Sequence, residues 1–97
     1  MSKKLEPIHP GEILAEDFMA PHGLTANKLA LELHIPANRL TEIVRGRRAI
    51  TADTALRLGR YFKTSADMWL GLQADYDLRK AKMQHGERIL REVRTAS

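Results

Sequence analysis

A cluster of arginines near the middle of the chain has the chemistry of a surface that binds phosphate groups. Arg45, Arg47 and Arg48 surround Gly46 at the end of an amphipathic stretch whose polar side carries asparagine, threonine and a further arginine. Arginine binds phosphate and the edge of guanine, asparagine binds the edge of adenine, and small or methyl-bearing side chains meet the methyl group of thymine. These residue types favour recognition of a nucleic acid, although an exposed basic cluster can also be a solvated surface without a partner.

The distribution of charge along the chain also favours an anionic partner. The 97 residues have a net charge of +4, with −2 on residues 1–34, +5 on residues 35–64, −3 on residues 65–77 and +4 on residues 78–97. A segregated basic block such as residues 35–64 is what a nucleic acid would require. The last basic block is explained equally well by a tail with a solvated face.

Composition excludes several classes of protein. Because 43% of the residues are hydrophobic and only 5% are aromatic, a core must consist mostly of leucine, isoleucine and alanine, which favours helices over strands. The absence of cysteine excludes disulfide scaffolds and thiolate metal sites. The four histidines lack metal-ligand spacing, and no nucleophile–base pair or phosphate-binding glycine loop is recognisable. We therefore expect no metal, no cofactor and no enzymatic activity.

The sequence contains neither the pattern of a signal peptide nor an apolar stretch of membrane-spanning length. We expect a cytoplasmic, single-domain protein that does not bind membranes.

Hydrophobic periodicity and residues typical of helix ends predict five helices. Each should begin at a proline or a hydroxyl residue, which suit the first turn or the cap of a helix: Pro10, Thr25, Pro36, Thr51 and Ser65. The fifth helix should run to about Lys82. The segment after Gly86 has a pattern that fits a short helix, a strand or a disordered tail.

These elements divide the chain into three parts. We predict an N-terminal arm at residues 1–9, a helix-turn-helix DNA-binding domain at residues 10–83 and a basic C-terminal tail at residues 84–97. The motif itself lies at about residues 25–45, where two predicted helices are joined by only a few residues. In this arrangement the second helix enters the major groove of DNA and the first lies across the backbone.

The residues in and around the turn of the motif suit two closely packed helices. Ala30 is small enough for the two helices to approach each other, and Leu40 and Ile43 of the second helix face inward. His34 stands where such turns commonly have glycine, so either this residue adopts a positive φ or the turn has a slightly different geometry. Gly46 follows the last turn and should end the helix in the left-handed conformation.

Two sets of residues are candidates for contact with DNA. The outward face of the second motif helix supplies the candidates for reading bases: Ala37, Asn38, Arg39, Thr41, Glu42 and Arg45. The start of the first motif helix and the arginine cluster supply the candidates for binding the sugar-phosphate backbone: Thr25, Asn27, Lys28, Arg45, Arg47 and Arg48. Two amphipathic helices with a tight connection also occur in helical domains that bind no DNA.

Three longer stretches, IHPGEILAEDF, ANRLTEIVRGRRAITADTALRLGRYF and MWLGLQADYDLRKA, resemble the HigA/VapI family of antitoxins, within the larger class of lambda-repressor-like (XRE) helix-turn-helix proteins. The resemblance covers residues from about 7 to 94. It implies an all-α, five-helix lambda-repressor-like domain that dimerises and binds double-stranded DNA at a palindromic operator in its own promoter. It also implies a partner toxin of the RelE-like type, a ribosome-dependent mRNA endonuclease, which the antitoxin neutralises.

Dimerisation would use apolar surface on the last helices. The candidates are Trp69, Leu72, Tyr76 and Ile89, unless these side chains fill the core of the monomer. Two other functions remain open: a stand-alone repressor of the same fold without a toxin partner, and a protein-binding module whose basic face binds an acidic protein.

Overall fold

The computed structural model describes residues 6–96, and this part of the chain folds into five helices without a strand. The helices are α1 (Pro10–Ile13), which continues into a π-helical segment (Leu14–Met19), α2 (Ala26–Leu33), α3 (Ala37–Val44), α4 (Ala52–Phe62) and α5 (Ala66–Glu92). The predicted all-α, five-helix fold is confirmed. Residues 1–5 of the predicted arm and Ser97 of the predicted tail lie outside the described residues.

Local capping chemistry explains where the helices begin. A side-chain oxygen accepts a hydrogen bond from the backbone N–H three residues later, at 3.1 Å for Thr25, 3.4 Å for Thr51 and 3.0 Å for Ser65. Each bond satisfies one of the N–H groups that a helix start leaves without a partner. At α1 the cap is His9, whose Nδ1 accepts from the Gly11 N–H at 2.9 Å.

Four helical segments end with a residue in the left-handed conformation. These residues are Gly23 (φ 64°), His34 (φ 60°), Gly46 (φ 76°) and Lys63 (φ 59°). In each case the next residue donates its N–H to a carbonyl five residues earlier, as the Arg47 N–H does to the Glu42 carbonyl at 2.8 Å. The predicted left-handed conformation of Gly46 is confirmed. For His34 the structure shows the first of the two predicted alternatives, a positive φ.

The core lies where all five helices meet. Leu14, Leu29, Leu40 and Leu58 are completely buried, and Trp69 of α5 is buried among them. The indole Nε1 of Trp69 donates a hydrogen bond to Thr64 Oγ1 at 2.9 Å, so the buried polar atom is satisfied. Of the two positions that the sequence left open for Trp69, core and dimer surface, the structure shows the core.

Close packing of α1 against α3 accounts for a glycine in the first turn. Gly11 is buried, and a Cβ atom at this position would overlap the backbone carbonyl oxygen of Ile43. A larger residue would therefore push α1 away from the second helix of the motif.

The predicted end of the fifth helix near Lys82 is wrong, because α5 continues without interruption to Glu92. Relative to alanine, Gly86 lowers the stability of the helix by only about 1 kcal/mol, and the residues around it are good helix formers. Arg88 and Glu92 add an i,i+4 ion pair at 3.8 Å in the last turns. With 27 residues, α5 is about 40 Å long and crosses the predicted boundary between domain and tail. No helix within residues 6–96 is long and apolar enough to cross a membrane.

We expect His34→Gly to stabilise the fold by about 0.5–1 kcal/mol. The left-handed conformation costs a residue with a side chain about 1–2 kcal/mol, and the greater freedom of glycine in the unfolded chain offsets about 0.4–1 kcal/mol of the gain. Lys63→Gly is a matched variant, because Lys63 has almost the same φ at the end of a different helix. The free energies of unfolding would be measured by urea denaturation. If both variants instead lowered the free energy of unfolding, strain at these two residues could not be a significant cost to the folded state.

Candidate nucleic-acid interface

The two helices of the motif, α2 and α3, pack against each other through completely or almost completely buried side chains. Leu29 and Leu33 of α2 and Leu40 and Ile43 of α3 are each no more than 3% exposed. Ala30 is also buried, and its carbonyl accepts the N–H of Ile35 in the turn at 3.1 Å. Because α3 buries this face, its opposite face must point outward.

The candidate base-reading residues occupy that outward face. Ala37, Asn38 and Arg45 are exposed, whereas Arg39, Thr41 and Glu42 are half-buried. The candidate backbone-binding residues are all exposed: Thr25, Asn27, Lys28, Arg45, Arg47 and Arg48. Thr25 also caps α2, so its hydroxyl oxygen already accepts one hydrogen bond.

An ion pair connects a candidate base reader to a candidate phosphate ligand. Glu42 Oε1 lies 2.8 Å from Arg48 Nε and 2.7 Å from Arg48 Nη2. The carboxylate thereby holds the arginine of the loop against α3. Arg45 and Arg47, by contrast, have no carboxylate within 4.0 Å among the residues that the structure describes.

A second polar network, which the sequence did not predict, connects α2, α3 and α4. Arg57 Nη1 donates to the carbonyl of Leu33 at 2.9 Å, and Arg57 Nε donates to Asp53 Oδ2 at 2.9 Å. Arg39 Nη1 lies 3.8 Å from the same Asp53 oxygen. The i,i+4 spacing of Asp53 and Arg57 could have predicted their own pairing, but not the contacts with the motif.

These side chains line a groove of about 510 Å³ beside the start of α3. Its charged lining residues are three arginines and one aspartate: Arg39, Arg48, Arg57 and Asp53. The groove therefore has an excess of positive charge next to the outward face of α3, which favours an anionic ligand.

His9 also contacts the region of the arginine cluster, although the sequence indicated for it only a place at the start of the first helix and no role as a metal ligand. Its ring packs edge-on against Tyr76, with 4.8 Å between centroids, and a Cβ atom added at Gly46 would lie 3.6 Å from the ring. Burial lowers the pKa of His9 from its ordinary value of 6.5, while Asp77 and a hydrogen bond with the Arg48 backbone raise it and Lys80 lowers it. The neutral ring that accepts from Gly11 is thus favoured. The contribution of the neutral His9 ring to the stability of the fold is therefore complete above pH 6.5 and is lost as the pH falls through the lowered pKa.

The candidates for a dimer surface are not brought together as one patch. Leu72 and Tyr76 are half-buried, and Ile89 is 46% exposed in the extended part of α5. Leu72 contributes to a second groove, of about 930 Å³, between residues 6–8, α1 and α5. Its apolar walls also include four side chains that were not among the predicted candidates for the dimer surface: Ile8, Ile13, Leu78 and Met83.

Comparison with known proteins connects this geometry to a family. The helix-turn-helix family matches residues 16–69. Virulence-associated protein I of Dichelobacter nodosus is 53% identical over 79 residues, which are 81% of this chain and 73% of that protein.

Solved structures agree over nearly the whole chain. An addiction module antidote protein of the HigA family from Coxiella burnetii is 49% identical with a TM-score of 0.90, covering 95% of this chain and 100% of the other. Pseudomonas aeruginosa antitoxin HigA, solved with the higBA promoter, is 43% identical with a TM-score of 0.91, covering 94% of this chain and 99% of the other. This chain therefore belongs to the HigA/VapI family of helix-turn-helix proteins.

Proposed function

We propose that this protein is the antitoxin of a toxin–antitoxin pair: a dimer that binds a palindromic operator in its own promoter and neutralises a RelE-like mRNA endonuclease. The observation that carries the DNA-binding part is the outward face of α3, which exposes Asn38 and Arg45 while its other face is buried. The promoter DNA bound by the related Pseudomonas aeruginosa HigA supports the same assignment.

In the proposed complex α3 lies in the major groove. Asn38 binds an adenine edge, Ala37 and Thr41 meet thymine methyl groups, and Arg45 reaches a guanine or a phosphate. Arg39 and Glu42 belong to the same face, but each is in an ion pair that DNA must either keep or replace.

The backbone contacts lie on both sides of α3. Thr25, Asn27 and Lys28 bind phosphates at the N-terminal end of α2, where backbone N–H groups also favour anions. Arg47 and Arg48 bind phosphates from the loop after α3. These contacts fix the orientation of the protein on DNA and make binding sensitive to salt.

The test of DNA binding is a gel-shift titration on the upstream region of the gene and on random DNA, at two salt concentrations. We expect the unmodified chain to prefer the upstream region. Asn38→Ala should weaken binding to that region by about 5- to 150-fold, as for one lost base contact, with little effect on random DNA. Arg47→Ala should weaken both alike and reduce the salt slope by about one.

Each outcome bears on a different part of the assignment. Equal losses on both DNAs for Asn38→Ala would remove its base-reading role. An unmodified chain without preference for the upstream region would refute the operator-binding proposal and leave a protein-binding role for the basic face.

The proposed dimer uses the groove between residues 6–8, α1 and α5 together with the exposed end of α5. Large apolar side chains are exposed there: Ile8, Leu78, Met83, Ile89, Leu90 and Val93. We retain Leu72, Tyr76 and Ile89 in the interface and omit Trp69, because its side chain is fully buried within one chain. One recognition helix buries little surface, whereas two helices about one turn of DNA apart double the contacts and require a two-fold operator.

Leu78→Glu and Ile89→Glu should each raise the dimer dissociation constant by about tenfold or more, because burying an unpaired carboxylate is costly. Sedimentation equilibrium measures this constant. Leu56→Glu is the control, since Leu56 is 65% exposed on α4, away from the proposed interface, compared with 57% for Leu78. A dimer that resists both α5 substitutions, or a control that dissociates it equally, would place the interface elsewhere.

The toxin-neutralising part is tested through a neighbouring reading frame. Expressed alone, a short basic frame beside this gene should arrest growth, and co-expression of this chain should relieve the arrest. The variant Asn38→Ala should still relieve it, because base reading and toxin binding are separate activities. Absence of arrest, with operator binding intact, would favour the stand-alone repressor.

A further inference from the structure

We propose that Asp53 of α4 is a positioning residue for Arg39 and, through it, a determinant of DNA sequence specificity. This inference rests on the proposed function, in which Arg39 belongs to the base-reading face of α3. Asp53 lies outside the two motif helices α2 and α3, and no contact between it and DNA is required.

The carboxylate of Asp53 is held in place by an anchored partner. Arg57 donates to the Leu33 carbonyl at the end of α2 and to Asp53 Oδ2, both at 2.9 Å. The carbonyl is one of the last four of α2, which have no partner within the helix. Arg57 is therefore fixed at two points of its guanidinium plane, and its position fixes the carboxylate in turn.

Arg39 is held near this carboxylate but remains available. Its Nη1 lies 3.8 Å from Asp53 Oδ2, which is close enough for attraction and too far for a hydrogen bond. The Arg39 side chain is 35% exposed and faces the groove with its donors uncommitted by this pair. Asp53 thus restricts the directions of a long, flexible side chain while leaving its hydrogen-bond donors for a base.

Two effects on affinity follow from this arrangement. An arginine that is already oriented loses less side-chain freedom on binding, so Asp53 should strengthen binding at the operator, where Arg39 contacts its base. On random DNA that contact is missing, and the negative charge of Asp53 opposes the approach of phosphates on both DNAs alike. Asp53 should therefore raise the ratio of operator affinity to random-DNA affinity through Arg39 alone.

The variant Asp53→Asn separates charge from connectivity, because the asparagine oxygen can still accept from Arg57 Nε. It would be compared with Arg39→Ala and with the double variant, by competition binding of an upstream-region duplex and a random duplex of equal length. Asp17→Asn is the control: it makes the same change of net charge at an exposed residue that has no ion pair within residues 6–96. Thermal unfolding verifies that every variant is folded.

We expect Asp53→Asn to lower the affinity ratio by about five- to tenfold, a part of what one base contact provides. The ratio should be unchanged in Asp17→Asn, and in the Arg39→Ala background Asp53→Asn should lower it no further. An equal decrease with and without Arg39 would overturn the proposal, as would a ratio that Asp53→Asn leaves unchanged. If the unmodified chain does not prefer the upstream duplex, the proposed function fails and this inference fails with it. A clear preference with no effect of Asp53→Asn refutes the inference alone.

Discussion

The burial of one face of α3 is the constraint on which the rest of the structure depends. Isolated helices shorter than about 12–15 residues are marginal in water, and α3 has eight residues and no side-chain hydrogen bond at its N-cap. Complete burial of Leu40 and Ile43 contributes about 1.5–3 kcal/mol each and fixes the rotation of the helix about its axis. The direction of Asn38 and its neighbours follows from that rotation.

The elements around α3 hold this helix and the loop after it in position. Gly11 lets the start of α1 pack directly on the backbone of Ile43, and His9 caps α1 while its ring packs near Gly46 and Tyr76. On the other side of the loop, Gln73 of α5 accepts the N–H of Ile50 at 2.9 Å. The loop that carries the arginine cluster is thus held by α1 and α5 as well as by α3.

The polar contacts of the interface have a different role from the apolar core. Exposed ion pairs contribute only about 0–1 kcal/mol to stability, and all those on this surface are at least one-third exposed. What the carboxylates of Glu42 and Asp53 provide is geometry, because each restricts an arginine that would otherwise sample many directions. A surface that is basic in sum can therefore contain acidic residues without contradiction.

The sequence by itself determined the five helices, the residues that begin them, the buried faces of α2 and α3 and the family. These features depend on interactions within a few residues, such as the caps at Thr25, Thr51 and Ser65 and the left-handed Gly46, or on a periodic pattern of apolar side chains. Such local rules can be read along the chain.

Only the tertiary structure decided that Trp69 is in the core and that Arg57 binds the carbonyl of Leu33, 24 residues away. The sequence left the segment after Gly86 open between helix, strand and tail. In the structure it is helical with almost all of its residues exposed, so good helix formers and the Arg88–Glu92 pair support it locally. The contact of Arg39 with Asp53 exists because the fold places the start of α4 beside α3. No spacing in the sequence encodes that placement, since it results from the sum of all buried contacts.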